Sequence, residues 1–142
     1  MGIDLFIVKP GDGIQGLPIG SPRSAVLAFF EDEPEIGTES TTGLAADRWL
    51  EHGIVAHYLT ENTLHSLVFE GTSVLMLEEM SLVGASYPAA IDMLSALGSS
   101  YGIEGEGAVF DDSGISIWSD QNAVDPKVAS VIVYSRETHD CW

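Results

Sequence analysis

An internal repeat constrains the fold of this chain more than any other feature of its sequence. The stretch Ser81–Gly98 can be laid over Leu17–Phe30 with Gly84 on Gly20 and with apolar residues on apolar residues. Each copy reads as a glycine, a short polar or proline-containing start, and a helix with one apolar stripe, because its apolar residues recur at helical spacing. The match indicates that one structural unit occurs twice.

The similarity continues downstream of each helical segment. Trp49–Leu59 parallels Phe110–Asp120, and Leu64–Glu70 parallels Val128–Tyr134. The helix and the last segment are shifted by the same number of residues between the two copies. Only the loops between these segments therefore differ in length. Agreement in three ordered blocks is typical of a duplicated unit rather than of chance.

Two helices are predicted, at about Pro22–Phe30 and Ser86–Leu97. Ser21 or Ser86 can cap a first turn by accepting from its N–H groups, and Pro22 suits the first helical position. The other apolar segments are short and predict strands, whereas Gly37–Gly43 and Gly98–Gly107 predict loops. The predicted strands are Ile3–Val8, Trp49, Ile54–Leu59, Leu64–Phe69, Val74–Leu77, Val109–Phe110, Ile115–Trp118 and Val128–Tyr134.

Together these elements predict an α+β fold. We expect a single domain over residues 1–142, built of two tandem copies at about 1–71 and 72–142. Each copy is a helix-plus-antiparallel-strands unit, and the two copies are expected to form one continuous antiparallel sheet with helices on one face.

Alternation along the strands assigns side chains to the two faces of the predicted sheet, because successive residues point to opposite sides. The face beneath the helices is expected to carry Ile54, Ala56, Leu67, Phe69, Ile115, Ile117, Val131 and Val133. The other face is expected to carry Val55, His57, Ser66, Val68, Glu70, Ser116, Trp118, Asp120, Ser130, Ile132 and Tyr134. Aromatic residues among acids on a solvent-facing sheet are typical of a protein-binding surface. The alternative is that the other copy or the C-terminal tail covers this face.

The charge balance is strongly acidic. Twenty-two Asp and Glu residues against five Lys and Arg give a formal net charge of −17. Such a field repels nucleic acid, membrane surfaces and other anions, and it accelerates association with a basic partner. A merely soluble acidic surface is the alternative interpretation.

The chain carries no sign of export or membrane insertion. Its single cysteine, Cys141, cannot form an intramolecular disulfide, which fits a reducing compartment. Met1–Val8 has no basic start, and no stretch approaches the roughly 20 apolar residues of a membrane span. We therefore expect a cytoplasmic protein.

No motif points to catalysis, a cofactor or a metal. The four histidines form neither HExxH nor a zinc-ligand spacing. Gly102–Gly107 has the glycines of a phosphate loop, but its two glutamates would repel phosphate. Asp111–Gly114 lacks the alternating oxygen ligands of a calcium loop. No catalytic residue, metal ligand or cofactor is predicted.

A glycine-led helix start followed by a hairpin, used twice, resembles beta-lactamase-inhibitory-protein-like domains. It is also similar to the single-copy unit of small lipoproteins of the outer-membrane barrel-assembly machinery. The resemblance implies helices on one side of a curved antiparallel sheet whose open face grips a partner protein. Unlike the inhibitors and the lipoproteins, this chain is not expected to have a signal peptide, disulfides or an acylated N-terminal cysteine. The matching residues are Gly20, Val26, Phe30, Gly84, Ala90 and Leu94.

These observations lead to the hypothesis of a non-enzymatic, protein-binding inhibitor. The expected type is an acidic immunity protein that neutralises a basic cognate toxin, for example a nuclease. A small-molecule-binding protein or enzyme with a pocket between the copies is an alternative, and so is a non-inhibitory interaction domain. The candidate steering residues are Glu31, Asp32, Glu33 and Glu35. The candidate anchors are His57, Glu70, Trp118, Asp120 and Tyr134.

Overall fold

The computed structural model describes residues 5–30, 33–38, 45–59, 61–71, 73–97, 100–120 and 124–134. Within these residues, thirteen strands and two α-helices follow one another along the chain. They are β1 (Leu5–Lys9), β2 (Gly13–Ile14), β3 (Leu17–Pro18), α1 (Arg23–Phe30), β4 (Glu35–Thr38), β5 (Ala45–Trp49), β6 (Ile54–Tyr58), β7 (Leu64–Glu70), β8 (Val74–Leu77), β9 (Met80–Ser81), α2 (Tyr87–Ala96), β10 (Gly102–Glu104), β11 (Gly107–Phe110), β12 (Ile115–Ser119) and β13 (Val128–Tyr134).

The strands form two sheets. The larger has eight strands in the order β10-β11-β12-β13-β7-β6-β5-β4, and all of its neighbours are antiparallel. The smaller has five strands in the order β3-β2-β1-β8-β9. At its centre β1 and β8 pair in parallel, with Leu5 opposite Val74 and Ile7 opposite Met76.

This architecture corrects the predicted fold class. The described chain is mostly strand, its two helices have only 8 and 10 residues, and there are two sheets instead of one continuous antiparallel sheet. The prediction of a helix-plus-antiparallel-strands repeat was therefore wrong. Its main error was to place the strands at Ile3–Val8 and Val74–Leu77 in the same antiparallel sheet as the other strands, whereas β1 and β8 pair in parallel with each other in a second sheet.

The predicted inward face of the large sheet is confirmed, because every one of its eight residues is at most 1 % exposed. Phe6 of the small sheet joins this face to the first helix, with ring centroids 5.5 Å from Phe69 and 5.7 Å from Phe30. Buried residues of both sheets and both helices belong to one core. The small sheet and the helices thus cover one side of the large sheet, and its other side lies away from this core.

The two helices begin with similar backbone contacts. The Gly20 N–H donates to the Leu64 carbonyl and the Gly84 N–H to the Val128 carbonyl, each over 2.8 Å. The capping differs, however. Ser86 accepts from the Ala89 N–H at 3.4 Å, whereas the Ser21 hydroxyl donates to the Pro18 carbonyl at 2.6 Å. Of the two predicted caps, only Ser86 is confirmed.

Neither described helix has the length and the apolar character that a membrane crossing requires.

Candidate functional site

The candidate site is the side of the eight-stranded sheet that faces away from the core, here called the open face. The pairing register places one row of residues across all eight strands of this face. Three adjacent aliphatic side chains in the middle of the row are half-buried. In strand order the row is Gly102, Val109, Ser116, Ile132, Val68, Val55, Arg48 and Glu35.

Two shorter rows flank this central row on the open face. The tryptophan row joins Glu104, Gly107, Trp118, Ser130 and Glu70. The histidine row joins Tyr134, Ser66, His57, Ala46 and Gly37. The register thus separates the predicted anchors into two groups on opposite sides of the aliphatic middle.

Trp118 lies flat on the sheet. A Cβ atom placed on Gly107, its partner on β11, would lie 2.5, 2.6 and 2.7 Å from Cε3, Cδ2 and Cζ3 of the indole. Three consecutive ring atoms at nearly equal distance require that point to lie over the ring face, since an edge-on approach would leave the outer two clearly farther away. The indole Nε1–H donates to the Ser116 hydroxyl at 3.2 Å. Gly107 and Ser116 therefore fix the orientation of a half-buried aromatic ring.

Asp120 extends the same face beyond the tryptophan row. Its N–H donates to the Lys127 carbonyl at 2.9 Å, and its Oδ1 accepts from the Lys127 N–H at 3.1 Å. These contacts hold an exposed carboxylate two residues from Trp118. The Lys127 ammonium itself pairs with Asp125 at 3.0 Å.

Tyr134 does not fit its predicted role as an exposed anchor. Its side chain is fully buried, and its hydroxyl donates to Asp111 Oδ1 at 2.9 Å. It stands at the end of β13, where its N–H donates to the carbonyl of Gly114 in the turn that Asp111 begins. This turn draws the ring into the protein, so a partner cannot contact it. His57, opposite the buried Ser66, is half-buried.

The structure describes some of the predicted acidic partner-binding residues and not others. Glu33, Glu35 and Glu70 are exposed, and Glu35 stands opposite Arg48 at the edge of the open face. Glu31 and Asp32 lie outside the described residues. The edge strand β4 therefore brings one of the four steering candidates onto the open face.

Sequence reasoning missed a charged cluster on the core side of the sheet. Arg23, at the start of α1, donates from Nη2 to Asp47 Oδ1 at 2.6 Å and from Nε to Oδ2 at 3.0 Å. The Tyr58 hydroxyl donates to the same Oδ2 at 2.8 Å, and the guanidinium lies 5.3 Å from the Tyr58 ring centroid. Asp47 is fully buried, while the Arg23 side chain is 24 % exposed. The cluster satisfies a buried carboxylate and fastens α1 to β5 and β6.

The cluster shifts the pKa of two of its members. Burial, followed by the hydrogen bond to Asp47, raises the pKa of the Tyr58 hydroxyl. The hydrogen bond to Asp47 raises the pKa of the Arg23 guanidinium against the opposing effect of burial. Both shifts stabilise the protonated forms that the hydrogen bonds require, which suits a structural cluster.

Sequence reasoning also missed the role of Gly107. It was placed at the end of a predicted loop, whereas the structure places it in β11 beneath the Trp118 ring. A glycine within a strand often marks a close approach by another group, and this was the available signal. The strand pairing needed to connect Gly107 with Trp118 was not predicted.

The described residues contain no group of three or more His, Cys, Asp or Glu side chains arranged to hold a metal ion. No protein-family model, curated protein or solved structure matches this chain. By its own geometry, the candidate site is an acidic sheet face with an aliphatic middle and an oriented tryptophan.

Proposed function

We propose that this protein is a non-enzymatic, protein-binding inhibitor of the immunity-protein type, which neutralises a basic cognate toxin in the cytoplasm. The proposed binding surface is the open face of the eight-stranded sheet. The observation that carries the proposal is the Trp118 ring, which lies flat on that face beside the aliphatic middle.

The composition of the open face suits a protein partner. Val55, Val68 and Ile132 offer adjacent apolar area on three neighbouring strands. Trp118 adds a ring whose orientation is already fixed, so little conformational entropy is lost when a partner packs on it. Binding energy at interfaces concentrates in such aromatic residues, surrounded by polar ones that exclude water.

Charge favours a basic partner over other classes. A net charge of −17 attracts cationic surfaces over a distance and raises the association rate. Glu35, Glu70 and Asp120 place exposed carboxylates around the open face. Toxins that cut nucleic acid carry basic clefts, because they bind phosphates. An acidic face can occupy such a cleft.

The proposal is tested with the protein encoded by the adjacent reading frame immediately upstream, the position in which the gene of a cognate toxin is expected. We expect wild-type protein to bind it and to restore growth when the two are co-expressed. Trp118→Ala should raise the dissociation rate at least about tenfold, with little change in the association rate, since short-range packing mainly determines dissociation.

Tyr101→Ala is the matched control. Tyr101 is an exposed aromatic residue, but it precedes β10 and stacks on the core residue Phe110, with ring centroids 5.0 Å apart. Its loss should leave the dissociation rate within about twofold of wild type, because it lies off the open face. Absence of binding by the wild type, or equal dissociation rates for the two variants, would overturn the proposal.

A further inference from the structure

We propose that the Trp118 indole is a docking platform for a cationic side chain, an arginine or lysine of the partner, which stacks on the ring face that points away from Gly107. This inference rests on the proposed function and names the chemical group that the site recognises. A cation over the face of an indole is attracted by the negative potential of the ring.

The first argument is the fixed orientation of the ring. Gly107 has no side chain, so the indole covers the backbone of β11 with one face. The Ser116 hydroxyl, itself buried, accepts from Nε1 and prevents rotation of the ring about its long axis. The opposite face of the indole is consequently directed away from the sheet.

The second argument is the distribution of charge along the tryptophan row. The row ends at the exposed Glu70, which is joined to Trp118 through Ser130. Asp120, which directly follows β12, adds a second exposed carboxylate two residues from Trp118. The nearby Lys127 ammonium is engaged with Asp125 at 3.0 Å. A cationic group on the ring would thus lie among acidic positions, which strengthens a cation–π contact.

The histidine row provides an internal contrast. His57 takes the position that Trp118 has in the tryptophan row, but its partner on β5 is Ala46, not a glycine. The row ends at buried Tyr134 where the tryptophan row ends at exposed Glu70. The features of a cation platform therefore occur together at Trp118 and not at His57.

The experiment is an NMR titration of the full chain with N-acetyl-arginine amide, followed at the Trp118 indole N–H. N-acetyl-citrulline amide is the neutral control, since it has nearly the same shape without the charge. The indole N–H of Trp49, which is 3 % exposed, serves as an internal reference. We expect a saturable shift at Trp118 with the arginine compound, at least about threefold smaller with the citrulline compound.

Gly107→Ala tests the geometry without removing the ring. The added methyl group must displace the indole, so the arginine affinity should fall at least about threefold in a folded protein. Glu70→Gln should also lower the affinity for the arginine compound. Glu61 is an exposed carboxylate in the turn before β7, so Glu61→Gln should leave this affinity unchanged.

The outcomes separate this inference from the proposed function. Equal shifts with arginine and citrulline compounds, or an unchanged affinity in Gly107→Ala, would overturn the cation platform. If the protein of the adjacent reading frame still bound through Trp118, the proposed function would stand with an apolar contact at that residue. If the wild-type protein did not bind the protein of the adjacent reading frame but still showed the arginine-dependent shift at Trp118, only the proposed function would be overturned.

Discussion

The two halves of the eight-stranded sheet, β4–β7 and β10–β13, have similar backbone contacts and different side chains. Gly53 and Gly114 both precede a strand, and their carbonyls accept from the N–H of Glu70 and Tyr134, each over 2.8 Å. On the core side, the first half carries the Arg23–Asp47–Tyr58 cluster. Aligning Ile54 with Ile115 puts Ala108 and Ser119 in the places of Asp47 and Tyr58, and aligning Gly20 with Gly84 puts Tyr87 in the place of Arg23.

On the core side the distinctive side chains belong to the first half, whereas on the open face they belong to the second half. The second half carries the oriented Trp118 over Gly107, whereas the first half has His57 beside Ala46. Similar backbone contacts thus support different side-chain arrangements in the two halves. The charged cluster holds a helix against the first half, whereas the oriented tryptophan of the second half is proposed to bind a partner. This similarity is between segments and does not restore the predicted fold class.

The largest effect is expected from Asp47→Ala, which gives the first half the alanine that Ala108 supplies in the second. The substitution removes the partner of Arg23 and the acceptor of the buried Tyr58 hydroxyl. Removing one partner of such a pair should lower the free energy of unfolding by about 3 kcal/mol. Urea unfolding measures the change, and Arg23→Met combined with Asp47→Ala should recover part of it. A loss below about 1 kcal/mol would show that the cluster does not fasten α1.

The second prediction concerns the two turns that the halves share. Gly53 and Gly114 have φ values of 69° and 64°, and a Cβ atom at either would overlap the carbonyl oxygen of Glu70 or Tyr134. Gly53→Ala and Gly114→Ala should therefore each cost at least about 2 kcal/mol, from backbone strain and overlap together. Gly71, with a φ of 64° and open space around it, separates the two causes, since Gly71→Ala should cost only about 1 kcal/mol. A large difference between Gly53→Ala and Gly114→Ala would break the equivalence of the halves.

The third prediction is a pH dependence that belongs to the charged cluster. Burial raises the pKa of Tyr58 in the folded state, so the unfolded chain releases this proton first as the pH rises. The contribution of Tyr58 to stability is thus complete below the ordinary tyrosine pKa of about 10 and is lost above it. Tyr58→Phe should cost about 1 kcal/mol at neutral pH and make the decline above about pH 10 shallower. An unchanged alkaline slope of the unfolding free energy would contradict this assignment.

The smallest predicted effect distinguishes the two helix starts. Ser86 accepts from the Ala89 N–H at 3.4 Å, whereas the Ser21 hydroxyl is directed to the Pro18 carbonyl. Ser86→Ala should lower the free energy of unfolding by about 0.5 to 1 kcal/mol, as expected for a cap with a long hydrogen bond. Ser21→Ala should cost less than about 0.5 kcal/mol, because its exposed hydrogen bond can be replaced by water. Urea unfolding measures both losses. A larger loss for Ser21→Ala than for Ser86→Ala would contradict the assignment of Ser86 as the cap.

The sequence was sufficient to predict the core face of the large sheet and the approximate helices. Alternation is a local signal, because successive residues of a strand point to opposite faces and the apolar ones, such as Ile54 and Phe69, face the core. The second sheet was not predictable in the same way. It depends on parallel pairing of Leu5 with Val74 and Ile7 with Met76, contacts between residues far apart in the chain that leave no periodic trace. Such pairings are decided by the packing of the whole fold.

The edge strands and the charged cluster were missed for related reasons. β4 and β10 each contain a glycine, Gly37 or Gly102, and glycine lowers strand propensity enough to suggest a loop. Asp47 reads as a polar residue on a short strand, and its pairing with Arg23, 24 residues away, becomes visible only when α1 lies on the sheet. Pattern reasoning placed Trp118 on the open face, whereas the support beneath its ring required the register of β11 and β12.

The most direct test of the central claim is methyl cross-saturation NMR on the complex with the protein of the adjacent reading frame. The open face is predicted to be the contact surface, so the methyl groups of Val55, Val68 and Ile132 and the Trp118 indole should receive saturation from the partner. The methyl groups of Leu5 and Ile7, exposed on the small sheet, should receive none. Saturation of Leu5 and Ile7 with an unaffected open face would contradict the account.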